Sequence, residues 1–431
     1  MVKSDPALSG PIAYLTGEYP RATDTFIQRE VFALRNLGID VVTCSIRKTG
    51  AEHLVGVEQR EEAKNTFYVM KAAKSPVRLI ASHLRAAVLT PHRYFSTLWL
   101  ALCTGSSGVK GRLYQLFYFA EAIILADYLK QCGVIHLHNH IAMASCSVAM
   151  LASNVSGIPF SFTLHGPDIF LEPQRWRLDV KIKKARFVAC ISDYCRDQAK
   201  GFSDPDCWGK LHIVHCGVEP DRYAAQLPPG HDSPHLTFVG RLAAVKGIPI
   251  LFEALVKLLP ENPNLRVTLI GDGPARAELE RVVHTLGLQD TITFAGYKSQ
   301  ADVAAALRET DLFVLPSFAE GVPVVLMEAM ASGVAVIATR IAGIPELVED
   351  GVSGLLVPAG DIDALADALL TLLNDKDRRV QMGQAGRKKV LVEFNVKHET
   401  TWLAEILQAY SLGVKPPIKR LLDTKVIACD G

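Results

Sequence analysis

Short β-branched runs alternate with longer segments of helical period from one end of this 431-residue chain to the other. That alternation is the pattern of a parallel sheet covered by helices. The length exceeds what one core ordinarily serves, so two domains are expected. Strands are predicted in the first half at Ile12–Thr16, Val41–Ile46, Val134–Leu137, Ser161–Leu164, Phe187–Ile191 and Ile213–His215. In the second half they are predicted at Leu236–Val239, Val267–Ile270, Ile292–Ala295, Leu312–Leu315, Val334–Ala338 and Gly354–Val357. Between Arg222 and Pro234 the pattern is broken by turn and linker residues. The expectation is an α/β chain of two Rossmann-like, doubly wound domains facing a central cleft, split at residues 1–222 and 223–395.

Hydrophobic residues make up 49% of the chain and the net charge is +1, which argues against disorder and against a nucleic-acid partner. The nine cysteines are scattered and never spaced as C-x-x-C. This argues against a disulfide framework or zinc site and for a reducing compartment. The apolar stretch Leu113–Leu129 is too short and too charged to span a bilayer, so a cytoplasmic location is expected.

One segment is unusual. Residues 63–120 carry no Asp or Glu, yet hold Lys64, Lys71, Lys74, Arg78, Arg85, Arg93, Lys110 and Arg112. Leu79, Ile80, Leu84, Val88, Phe95 and Trp99 are interleaved with them, in places at helical spacing. Such a segment can lie on an anionic membrane through residues 71–112. It can equally be an insertion that packs on its domain and shows a solvated basic face.

The chemistry is concentrated in a few places. After the strand ending at Leu315 comes Glu320-Gly321-Val322-Pro323, then a helix holding Glu328. Proline suits the first helical turn, and the N–H groups of Gly321 and Val322 there can bind an anion. Glu328 lies among apolar neighbours, where two vicinal hydroxyls would satisfy its oxygens; half of a buried ion pair is the alternative. Arg241 and Lys246, in a glycine-punctuated loop, can grip two phosphates. Gly271 and Gly273 mark a tight strand-to-helix turn whose backbone is expected near a nucleobase; Arg276 replaces the third glycine of a dinucleotide fingerprint. His165 and Asp168 follow a strand end in the first half. His136, His138 and His140 are read as a run leaving a strand into a loop. No carboxylate lies nearby in sequence, so no metal site is expected.

Taken together, these residues resemble the retaining GT-B glycosyltransferases of family 4 and group 1, and within them the colanic-acid-type exopolysaccharide enzymes. The resemblance runs from Ile12 to Tyr410. It is most specific in the E-x7-E pattern of Glu320 and Glu328 and in Gly343-Ile-Pro-Glu-Leu-Val-Glu-Asp-Gly351. It implies a UDP- or GDP-linked sugar donor as substrate, no cofactor, and a glycan or polyprenyl-linked oligosaccharide acceptor at the inner face of the membrane. Arg241 and Lys246 would bind the diphosphate, Glu320 the transferred sugar and Glu328 the ribose. His165 would lie near the reacting carbon, and the loop from Gly17 to Thr25 would border the acceptor. Segment 396–431 would supply a helix returning to the N-terminal domain, followed by a tail. The implied mechanism is metal-independent and front-face. Rival readings are a nucleotide-sugar epimerase of the same fold and a catalytically inactive glycan- or membrane-binding scaffold.

Overall fold

The computed structural model describes residues 8–21, 24–54, 56–106, 108–166, 172–223 and 234–419. The chain forms two compact units. The first takes Met1–Val214 with Thr400–Ile418, the second His215–Glu399 with Lys419–Gly431.

The first unit is built on strands β1 (Ile12–Glu18), β2 (Val41–Arg47), β3 (Phe67–Tyr68), β4 (His136–His140), β5 (Phe160–Leu164), β6 (Val188–Cys190) and β7 (Leu211–Ile213). Their order is β3-β2-β1-β4-β5-β6-β7, all parallel. The order turns back between β1 and β4, and doubly wound sheets bind ligands at the carboxyl ends of strands at such a point. Helix α1 (Thr25–Asn36) buries Ile27, Val31 and Leu34, spaced to form one stripe. That stripe shares a core with Ile12, Phe187, Trp402, Leu403, Ile406 and Leu407. The last helical residues are tied in further: the Trp402 indole donates to the Ile213 carbonyl at 3.0 Å.

Two strands are shifted along the chain from expectation. β4 was placed at Val134–Leu137 and runs at His136–His140; the last strand was placed at Ile213–His215 and runs at Leu211–Ile213. β3, only two residues long, is below what periodicity can detect.

From Pro76 on, the acid-free segment folds into helices α2 (Pro76–Leu89), α3 (Pro91–Thr104) and the start of α4 (Val109–Gln131). Pro76 and Pro91 each open a helix, where the missing N–H costs nothing. The inward side is pinned by Asp127 of α4, which accepts from Arg85 at 2.5 Å and from Ser82 at 3.0 Å. The outward side leaves Val77, Ile80, Leu84, Val88, Phe95 and Trp99 between 58% and 79% exposed. The segment therefore packs on its unit and still presents a large apolar face.

The second unit holds β8 (His235–Val239), β9 (Arg266–Ile270), β10 (Ile292–Gly296), β11 (Leu312–Leu315), β12 (Ala335–Thr339) and β13 (Leu355–Val357). All are parallel, in the order β10-β9-β8-β11-β12-β13, so the turning point lies between β8 and β11. Among the described residues, no helix is long and apolar enough to cross a membrane.

Candidate active site

In the second unit the loops after β8 and β11 meet backbone to backbone. Phe318 N donates to the Val245 carbonyl at 2.8 Å. A Cβ on Gly247, whose φ is +64°, would lie 2.0 Å from the Pro316 carbonyl oxygen. This contact brings Lys246 to Glu320, with Nζ and Oε1 2.5 Å apart. The same Oε1 accepts from Ser317 Oγ at 2.7 Å, and the Ser317 carbonyl accepts from Thr339 Oγ1 at 2.6 Å. Glu320 is thus held from two sides. Arg241, in the same loop as Lys246, is exposed.

Gly271 and Gly273 serve a close approach. Added Cβ atoms would meet the carbonyl oxygens of Gly240 at 1.9 Å and Leu242 at 2.3 Å. Bonds from Leu242 N to the Asp272 carbonyl and from Ala275 N to the Leu242 carbonyl, 3.0 Å each, lock the two loops together.

Helix α5 (Val324–Ala331) begins one residue later than expected: Pro323 caps it from an extended conformation instead of occupying its first turn. Gly321 and Val322 precede this end, and Gly321 O accepts from Gly343 N at 3.2 Å. Beside it Ala342 takes a φ of +46°, uncommon for a residue with a Cβ. Glu328 is 5% exposed among Leu326, Met327, Ala329 and Met330. Around one turning point the fold therefore sets two cations, a helix N-terminus and two carboxylates, a combination suited to phosphates and vicinal hydroxyls.

In the first unit the expectation of a histidine loop fails. His136, His138 and His140 lie on one face of β4 and are buried. Polar rings are tolerated there because β5 supplies partners. Ser161 Oγ lies 2.7 Å from both His136 Nε2 and His138 Nδ1, and Thr163 Oγ1 lies 2.9 Å from His138 Nε2. A carboxylate is also present, from a distant part of the chain: Glu30 Oε1 lies 3.1 Å from His140 Nε2 and accepts from the Tyr14 hydroxyl at 2.6 Å. His140 Nδ1 lies 2.8 Å from His165 Nε2. Burial pushes the pKa values of His136 and His140 down to about 3 and that of His165 well below the usual range. Burial pushes the Tyr14 phenol up, so it stays protonated.

Ligand atoms of Glu30, His138 and His140 lie within 4.8 Å of one another, spacing that a metal ion could draw together. Both ring nitrogens of each histidine already hold hydrogen bonds, so this set fits a bonded network better than a cation. Directly after His140, Ile141 has a φ of +69°. For a β-branched residue this is strained by about 1–3 kcal/mol, as functional sites often are. Gly17 lies exposed near the end of β1, and Thr25 opens α1. Asp168 lies outside the described residues, as does most of the expected linker.

Two family descriptions match the chain: "Glycosyltransferase Family 4" over residues 24–222 and "Glycosyl transferases group 1" over 221–389. Over 415 residues the chain is 35% identical to WcaL of Escherichia coli (strain K12), which is named as a colanic acid biosynthesis glycosyltransferase. That match covers 92% of this chain and 99% of the relative. The chain belongs to the glycosyltransferases of family 4 and group 1. This glycosyltransferase is also 37% identical over 206 residues to the amylovoran biosynthesis glycosyltransferase AmsK of Erwinia amylovora, covering 46% of this chain and 51% of AmsK. Its fold is GT-B. Sucrose-phosphate synthase from Thermosynechococcus elongatus matches with a TM-score of 0.74 at 20% identity, covering 94% of this chain and 100% of that one. HepE of Anabaena, solved with UDP, matches with a TM-score of 0.69 at 18% identity, covering 93% and 100%.

Tyr14 and Glu30 are the residues of the glycosyltransferase's candidate site that sequence reasoning missed, and His140 was read as part of a loop instead of a strand. The alternation of histidines along β4 was a usable signal. The position of Glu30 had none, because helix α1 reaches β4 only through the tertiary fold.

Proposed function

We propose that this glycosyltransferase moves a sugar, with retention of anomeric configuration and without a metal ion, from a UDP- or GDP-linked donor to a hydroxyl of a glycan or lipid-linked oligosaccharide. Exopolysaccharide assembly is the setting that the names of WcaL and AmsK support, and the cytoplasmic face of the cell membrane is the place this reading gives it. The observation that carries the reading is the Lys246–Glu320 couple beside the N-terminus of α5, with Arg241 in the same loop. Arg241 and Lys246 offset the charge that develops as the nucleoside diphosphate leaves. Glu320 holds the sugar and Glu328 the ribose. The leaving phosphate takes the proton of the acceptor hydroxyl on the same face of the sugar. HepE was solved with UDP and with UDP-glucose, which supports a nucleotide-sugar donor here.

Two features of the first unit support a lipid-linked acceptor. One is the apolar face of α2 and α3. The other is a cavity of about 190 Å³ lined by Lys110, Tyr114, Tyr118, Arg175, Trp176 and Arg177. Among its described lining residues are Lys110, Arg175 and Arg177, groups that can bind an anionic headgroup, with Glu172 and Asp179 offsetting the charge of the two arginines.

The experiment is a thermal-shift panel of UDP-, GDP- and ADP-sugars on the wild type and Glu328→Ala, followed by NMR of the product linkage. A ligand at 100 times its Kd adds about 2.7 kcal/mol, enough to see in a melt. Stabilisation lost in the variant and a retained anomer are expected. An inverted anomer overturns the mechanism. Conversion of the sugar with no acceptor present would favour an epimerase.

A further inference from the structure

Two buried polar groups line the cavity of the first unit with hydrogen-bonding capacity unspent. One is Gln115, 8% exposed, whose Nε2 donates to the Thr104 carbonyl at 3.4 Å. That bond fixes the amide, since the reversed one would set two oxygens against each other. Gln115 Oε1 is buried and accepts from no donor among the described residues, a costly state for a polar atom. The amide has little room to swing away. A Cβ on Gly105 would lie 3.1 Å from Gln115 Cγ, and one on Gly111 would lie 2.2 Å from the Ser106 carbonyl oxygen.

The other is Lys181, fully buried, whose Nζ donates to the carbonyls of Ala142 and Met143 at 2.8 Å each. These belong to the turn after β4, so the cavity lies by the carboxyl end of that strand, where such sheets bind ligands. An ammonium has three hydrogens, so one remains to give, and neither carbonyl offsets its charge. Arg175 and Arg177 are already paired with Glu172 and Asp179. Lys181 and Lys110 are the cavity's remaining described cations. The cavity also has an apolar border. Around helix α4, Gly111, Gln115 and Tyr118 face inward, Lys110 and Tyr114 come next at the edge, and then Phe117 and Leu113. Those last two are 57% and 51% exposed.

We propose that this cavity binds the glycosyl phosphate at the lipid end of the acceptor. Lys181 donates to a phosphate oxygen, Gln115 accepts from a hydroxyl of the attached sugar, and the lipid leaves past Phe117 and Leu113. The inference rests on the lipid-linked acceptor proposed above. A bare phosphate would use Lys181 and leave Gln115 unmet, and a neutral glycan would do the reverse. A sugar joined to a phosphate satisfies both.

The test is calorimetric titration of the full chain with UDP saturating the donor site. The probes are glucose, galactose and mannose 1-phosphates, inorganic phosphate, and the octyl diester of whichever sugar phosphate binds best. At least one sugar phosphate should bind ~3–10-fold more tightly than inorganic phosphate, the worth of one neutral hydrogen bond. The octyl chain should add ~10-fold or more, and Leu113→Ser with Phe117→Ser should remove that gain alone. Gln115→Met should lose the preference for the sugar phosphate, bind inorganic phosphate within about 2-fold of the wild type, and melt no lower, because the unmet oxygen is gone. Lys181→Met should weaken both anions ~10–100-fold, and the Gln115 variant decides the matter if that one does not fold. Sugar-phosphate binding that is absent, or unchanged in Gln115→Met, overturns the inference. No gain from the octyl chain overturns the lipid-borne ligand in favour of a free sugar phosphate. UDP binding to the second unit is titrated separately. Its failure would count against the donor reading, and the cavity is then titrated without UDP.

Discussion

Lys246 Nζ lies 2.5 Å from Glu320 Oε1, so the loops after β8 and β11 share an ion pair across the turning point of their sheet. Both side chains are largely buried, at 18% and 10% exposure, and screening by solvent is weak there. A phosphate that binds Lys246 must therefore compete with a carboxylate. UDP alone should bind Glu320→Gln about 3-fold or more tightly than the wild type, because the ammonium is released. Transfer by the same variant should fall. Lys246→Met should weaken UDP ~10–100-fold, the worth of one charged hydrogen bond. Calorimetric titration with UDP reads both signs, and weaker UDP binding to Glu320→Gln would count against the competition.

Two glycines with positive φ separate strain from collision. Gly287 has a φ of +72° and open space around a built Cβ, whereas Gly271, at +137°, would place one 1.9 Å from the Gly240 carbonyl oxygen. Gly287→Ala should cost about 1 kcal/mol. Gly271→Ala should cost about 3 kcal/mol or more and weaken UDP binding, since the loop carrying Arg241 is displaced. Urea unfolding of the two variants gives the comparison, and equal losses would contradict the close approach.

The exposed face of α2 and α3 should hold the enzyme on anionic vesicles. Phe95 and Trp99 are 63% and 70% exposed. Burying one large apolar side chain is worth about 1.5–3 kcal/mol, so Phe95→Ser with Trp99→Ser should reduce vesicle binding at least ~10-fold. Added salt should weaken what remains, through the basic residues beside them. Co-sedimentation with anionic and neutral vesicles distinguishes the contributions, and unchanged binding by the double variant would remove this face from consideration.

Acid should destabilise the first unit. His136 and His140 titrate at about 3 in the fold and at about 6.5 in an unfolded chain. Between those values the unfolded chain binds more protons, so stability is present near neutrality and is lost as pH falls through this window. At pH 5 each histidine costs about 2 kcal/mol, opposed in part by Glu30, whose carboxyl is pushed up by burial. Melts at pH 7 and pH 5 measure the loss, and His136→Gln should reduce it. A melting temperature that does not change over this interval would contradict the buried neutral histidines.

From the sequence alone came the alternation of strands and helices, the helix after β11 with Glu320 before it and Glu328 inside it, and the glycine-marked loops. Each is encoded by neighbours a few residues apart, through periodicity, turn chemistry and caps, so each is legible without the fold. The run of β4 through His140 was not legible. A strand of histidines looks like a polar loop until Ser161 and Thr163 on the adjacent strand are seen to satisfy it. The outward face of α2 and α3 was likewise open, because packing rather than composition chose which apolar residues stayed exposed. Only the tertiary structure brought Glu30 to His140 and Lys246 to Glu320. Such pairings depend on which strands lie side by side in the sheet, and the local pattern of the chain carries no record of that order.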